Sequence, residues 1–161
     1  RVLVETFDLG AFGRAPARFD DAELERLNAA IVHQMSFADV QDRLPEGMGE
    51  AAWLAIRPNL AHVGKAADWW HVVTGPVEPP ELPDEDRAYL AEAARKLAWS
   101  DDPWHALTDA LKASTGRKGK ALFQPLRLAL TGLSSGPEMA VLLPLIGEAE
   151  ARLRLEHAAA G

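Results

Sequence analysis

Between its prolines and glycines this chain repeats apolar residues at intervals of three and four. No run of four or more residues alternates convincingly between flanking turn signals. Intervals of three and four put side chains on one face of a helix, whereas a half-buried strand needs a period of two. The pattern predicts an all-α fold of about eight helices. The breaks are as informative as the repeats. Gly75, Pro76, Pro79, Pro80 and Pro83 mark a connection that cannot be helical throughout, because proline lacks the amide donor a helix interior requires. It divides the chain into two packed helical subdomains, residues 20–78 and 79–161, behind an irregular opening of residues 1–19.

Local signals place the helices in turn. Phe7, Leu9 and Phe12 are expected to pack onto the helices C-terminal to them, and Asp20 or Asp21 to cap a first helix whose buried face is Leu24, Leu27 and Ile31. Ser36 and Asp39 have capping-box spacing and are expected to open a short helix carrying Val40 and Leu44, which stops before Pro45. A helix is expected over Ala51–Ile56, with Pro58 starting or bending the next segment, and Leu60, Val63, Trp69, Trp70 and Val73 supplying apolar contacts. Asp84 to Trp99 carries acids in its first turn and Arg95 and Lys96 near its end, both favourable against the helix dipole. Ser100, Asp101 or Asp102 caps the next helix beside Pro103, Leu107 and Leu111 face inward, and Gly116 ends it. Leu122, Phe123, Leu126, Leu128 and Leu130 make Gly119–Thr131 apolar enough to be buried, with Pro125 beginning or kinking a helix. After a loop over Gly132–Gly136, Pro137 starts a short helix ended by Gly147, and Glu148–His157 closes the chain.

A chain of 161 residues, 48% of them hydrophobic, can bury a substantial core. There is no cysteine, so disulfides, thiolate metal sites and cysteine nucleophiles are excluded. No apolar run approaches a membrane span and the first residues lack the layout of a signal peptide, which points to a cytoplasmic protein without membrane contact. The opening RVLVETFDLG lacks a Met and reads as a fragment of a longer protein.

Charge is distributed unevenly. From Ala110 to Pro137 there is no Asp or Glu, but Lys112, Arg117, Lys118, Lys120 and Arg127 are all present; the rest holds all 24 acidic residues. The chain as a whole carries a net charge of −7, which argues against a general nucleic-acid binder but not against one that docks through a single face. Gly116 and Gly119 free Arg117, Lys118 and Lys120 to follow a phosphate backbone, a task that needs charge without rigid geometry. The plain alternative is a set of surface lysines and arginines. Arg127, set among Leu126, Leu128 and Leu130, can present a planar donor fork to a base edge or phosphate, or form an internal salt bridge.

The segments GRKGKALFQPLRLALTG and GPEMAVLLPLIG resemble the C-terminal, anticodon-binding region of bacterial glutamyl-tRNA synthetases, and FGRAPARFDDAELERLN resembles the passage by which those enzymes leave their catalytic half. Residues 1–19 would then be the linker from that half. The resemblance implies that Arg127, Gly136, Pro137 and Met139 contribute to the anticodon-reading surface, with the tRNA(Glu) anticodon stem-loop as partner and the N-terminal catalytic domain as partner in cis. It also implies a full-length enzyme that attaches glutamate to tRNA(Glu) using ATP and Mg. HIGH-like and KMSKS-like motifs do not occur in this chain, so no catalytic residue, metal ligand or cofactor site is assigned to it, and the chain alone is not expected to charge tRNA.

Arg57, beside Trp53 and Pro58, is a further arginine that could meet the same RNA loop from the first subdomain. The five tryptophans are read as core residues before base-stacking ones. The five histidines show no metal-site spacing, and Ser134 and Ser135 lack a nucleophile-elbow context. A helical protein–protein interaction module without RNA binding is the alternative function.

Overall fold

The computed structural model describes residues 20–161; the expected packing of Phe7, Leu9 and Phe12 and the linker role of residues 1–19 lie outside the described residues. Eight α-helices make up the described chain: α1 (Asp21–Val32), α2 (Glu50–Ile56), α3 (Ala66–Thr74), α4 (Asp84–Lys96), α5 (Pro103–Thr115), α6 (Lys120–Thr131), α7 (Met139–Ile146) and α8 (Glu148–Ala160). Short 3-10 turns at Gln41–Arg43, Arg57–Asn59 and Val63–Lys65 join them, and the described residues contain no strand. None of these helices is long and apolar enough to cross a membrane.

The caps form where the sequence places them. The Asp20 side chain accepts from the amides of Ala22 and Glu23, and that of Asp102 from the amide of His105, with Pro103 at the start of α5. Gly116 ends α5 at φ 69°, a left-handed conformation that costs a residue with a Cβ more than glycine. Gly132 and Gly147 likewise end α6 and α7, and residues 75–83, where Pro76, Pro79, Pro80 and Pro83 fall, are non-helical.

The core runs across that connection. α4 and α8 pack along each other more extensively than any other pair, α6 and α5 lie against them, and α7 contacts α2 and α3 of the first half. Trp53, Ile56 and Leu60 from the first half and Leu90, Leu107, Leu126, Leu142 and Leu155 from the second are fully buried. Arg154 of α8 fastens the two halves at a point where no apolar side chain could. Only 3% exposed, it donates to the carbonyls of Val72 (2.8 Å), Val73 (3.1 Å), Gly75 (2.8 Å) and Leu130 (2.7 Å), and it pairs with Glu150. These carbonyls stand at the ends of α3 and α6, where helix geometry leaves acceptors without intrahelical donors.

Several expectations need correction. Leu24, Leu27 and Ile31 are 52%, 58% and 55% exposed. α1 instead docks through an adjacent face, on which Val32 is buried, Asn28 donates to the Ala61 carbonyl and the His33 ring lies 3.0 Å from the Leu60 carbonyl. Ser36 and Asp39 form reciprocal hydrogen bonds, yet they open only a 3-10 turn, since Leu44 precedes a proline and is held extended at ψ 155°. α4 ends at Lys96 rather than Trp99, because Arg152 of α8 donates to the carbonyls of Ala94 and Leu97 and ends the helix there. Pro137 does not start α7; Glu138 comes after it in extended backbone and Met139 is the first helical residue. Phe123 is 44% exposed, not buried.

Candidate nucleic-acid interface

The acid-free window becomes the end of α5, the 116–119 connection, α6 and the loop that leads into α7. Helix α6 must tolerate Pro125 in its interior. The missing amide would have bonded the Ala121 carbonyl, and Arg117 Nη1 donates to that oxygen instead at 3.2 Å. The same guanidinium pairs with Asp86, donates to the Glu85 carbonyl at 3.1 Å and lies 4.4 Å from the centre of the Tyr89 ring. Arg117 is thus committed inside the protein, while Lys118 and Lys120 are exposed to solvent.

Arg127 projects from α6 toward the segment before α7. Its Nη2 donates to the Pro137 carbonyl at 2.9 Å; its Nη1 is the one buried side-chain polar atom, among the described residues, without a partner. Desolvation holds the Arg127 pKa below its ordinary value, although an arginine remains charged at any physiological pH. A buried charged donor left unpaired costs more than a neutral one, so a shift of this side chain toward an acceptor would be favourable. Arg127 lines a groove of about 470 Å³ together with Trp104, His105, Phe123, Glu138, Met139 and Ala140. Glu138 supplies no side-chain cap to α7, whose first amides have no intrahelical acceptor.

The four residues of the expected reading surface fall on two adjacent grooves that share Glu138. Arg127 and Met139 share the groove, with Met139 itself buried, and Pro137 joins them through its carbonyl. Gly136 lies on the far side of Glu138, in a second groove of about 370 Å³ lined also by Leu54, Ala55, Pro58, Asn59 and Val141. Its φ is 147°, and a Cβ there would stand 2.1 Å from the Trp69 ring, so glycine is required for close packing on α3. Residues of the first half do face this loop, and Arg57 beside them donates from Nη1 to the Met35 carbonyl.

Sequence reasoning missed Phe123. It lines the groove beside Arg127 and also a third groove of about 310 Å³ on its other side, with Trp104, His105, Thr108, Asp109, Lys112, Lys118, Gly119 and Leu122. The usable signal was spacing: Phe123 stands four residues from Arg127 and three from Lys120, on the face that carries charge rather than on the stripe of Leu122, Leu126 and Leu130.

Residues 80–159 match the anticodon binding domain family. The chain is 68% identical over 159 residues to glutamate–tRNA ligase 2 of Erythrobacter litoralis, covering 99% of this chain and 35% of that protein. It is 64% identical over 156 residues to glutamate–tRNA ligase 1 of Novosphingobium aromaticivorans, again covering 35% of the relative. The crystal structure of a glutamate tRNA ligase from Elizabethkingia meningosepticum superimposes with a TM-score of 0.77 over 98% of this chain and 36% of that one; at 18% identity it speaks for the fold alone. The chain thus spans about a third of the length of the relatives it matches, and it belongs to the bacterial glutamate–tRNA ligase family as an anticodon-binding region of such a protein.

Proposed function

We propose that this chain grips the anticodon stem and loop of tRNA(Glu) on behalf of a full-length cytoplasmic ligase that joins glutamate to that tRNA. The observation that carries the reading is Arg127, whose one fixed hydrogen bond leaves a buried donor unsatisfied beside a groove. Bases of a single-stranded loop can unstack and offer their edges to such a fork. Lys118 and Lys120 would then meet phosphates, which orient the RNA without reading it. Pro137 acts by holding Arg127, while Gly136 lets the loop approach α3 closely. Binding energy gathered here is remote from the reacting carboxylate and works by favouring the right tRNA in the productive complex.

In this reading ATP and Mg, which drive the ligation, bind elsewhere in the full-length protein. No group of three or more His, Cys, Asp or Glu side chains among the described residues is arranged to hold a metal ion.

The test is a binding titration of the full-length protein with tRNA(Glu) and a non-cognate tRNA. Arg127→Ala is expected to weaken cognate binding by about 1–3 kcal/mol, the range for a bidentate base contact, and to narrow the gap between the two tRNAs. Unchanged affinity with unchanged selectivity would overturn the assignment. Nuclease footprinting should show protection that extends over the anticodon arm.

A further inference from the structure

We propose that the exposed ring of Phe123 is a stacking seat for one unpaired nucleobase, backed by Trp104 and flanked by lysines on one side and Arg127 on the other. The inference rests on the RNA-binding reading and adds to it a contact that neither charge nor hydrogen-bond donors supply.

An isolated exposed apolar side chain on a protein surface is ordinary and needs no ligand. Phe123 differs in its surroundings. Its ring centre lies 6.1 Å from that of Trp104 at an interplanar angle of 33°, and Trp104 is buried, so the exposed ring rests on a fixed aromatic floor. Phe123 also forms the ridge between two grooves. One is bordered by Lys112 and Lys118, the other by Arg127. A strand crossing the ridge meets positive charge before and after the aromatic face, an alternation that suits a nucleotide, whose phosphates need cations and whose base needs a flat apolar surface. The acids nearby are Asp109 in the first groove, Glu138 in the second and Asp102, whose carboxylate is already bonded to the ring of His105; Glu138 can accept from the exocyclic amine of a base. A protein partner docking on the same ridge would need acidic side chains on both sides of its apolar contact to match the flanking cations.

The experiment uses the full-length protein and anticodon stem-loop RNA carrying 2-aminopurine at each loop position in turn. One position is expected to be quenched on binding. Phe123→Tyr should keep the quench, whereas Phe123→Leu should abolish it and weaken binding about 5- to 150-fold, the range for loss of one base–aromatic stack. Since the ring is partly exposed, both variants should unfold near the wild-type temperature, which separates a lost contact from a lost fold. If Phe123→Leu binds and quenches like wild type while Arg127→Ala still loses selectivity, the stacking seat is overturned and the RNA-binding reading survives. If the wild-type protein does not bind the hairpin, both fall together.

Discussion

Arg117 donates to the Ala121 carbonyl, the acceptor that Pro125 leaves without its helical partner. A defect in one element is thereby satisfied from the residue that leads into it, and the same guanidinium anchors α6 to Asp86 of α4. Arg117→Ala is expected to cost about 2–3 kcal/mol, because it removes several charge-assisted hydrogen bonds at once. In a Pro125→Ala background the new amide can bond Ala121 directly, so the cost of losing Arg117 should shrink. Urea unfolding of the four proteins in this cycle measures the coupling, and strict additivity would show that the carbonyl did not need Arg117.

Tyr89 makes the fold sensitive to alkali. Its hydroxyl donates to the Leu122 carbonyl at 2.8 Å inside the core, and burial pushes its pKa from 10.0 up to about 12, against the opposing pull of Arg117. Below pH 10 the tyrosine is protonated in folded and unfolded chains alike, so stability does not depend on it. Between about pH 10 and 12 the unfolded chain releases a proton that the folded chain retains, and stability should fall by up to about 1.4 kcal/mol per pH unit. The decisive measurement is the difference between wild type and Tyr89→Phe, from which this slope should be missing. Since the chain has one tyrosine, its absorbance reports the titration directly.

Gly136 and Trp69 hold the loop before α7 against α3. Gly136→Ala would drive a methyl group to 2.1 Å from the indole ring at a backbone angle that L residues rarely adopt. The expected cost is about 1–3 kcal/mol, from overpacking and backbone strain together. Trp69→Leu removes the ring and should relieve the steric part, making the double variant more stable than the sum of the single effects predicts. Thermal melts of all three variants provide the check.

Arg154 should be the most sensitive charged residue for stability. Arg154→Met leaves four buried or half-buried carbonyls at two helix ends without their donor, and the expected loss is about 3–5 kcal/mol. Arg154→Lys cannot reproduce the planar fork and should recover only part of it. Denaturant unfolding decides the matter; a loss under about 1 kcal/mol for the methionine variant, the net worth of a single ordinary hydrogen bond, would mean that the clamp is dispensable.

Salt should separate the two lysines from Arg117. If Lys118 and Lys120 meet phosphates, removing either should flatten the dependence of log affinity on log salt by about 0.7, the value for one charge on a single strand. Arg117→Ala should weaken stability without changing that slope, because its guanidinium is already paired. Titrations over a series of salt concentrations, run at a temperature where every variant is folded, test both statements.

The sequence alone determined that the chain is helical, where most of its helices lie, several of their ends, and that one window is free of acids. Asp20, Asp102, Pro103 and Gly116 act through their own dihedral angles and nearest amides, so their effect can be read within a few residues. The acid-free window was legible for the same reason: charge is a property of residues, not of their arrangement. What only the tertiary structure decided was the partner of each side chain. Arg117, Arg57, Arg154 and Arg127 share one chemistry and all donate to backbone carbonyls, yet among the described residues Arg127 alone keeps a buried nitrogen without a partner; Arg154 reaches a carbonyl 82 residues away. Leu24, Leu27 and Ile31 have the spacing of a buried stripe and stand outside, while Phe123, grouped with the core leucines of its helix, emerges beside Arg127. Periodicity states that a face exists, but burial depends on which distant helix arrives to cover it, and no local interval in the chain encodes that meeting.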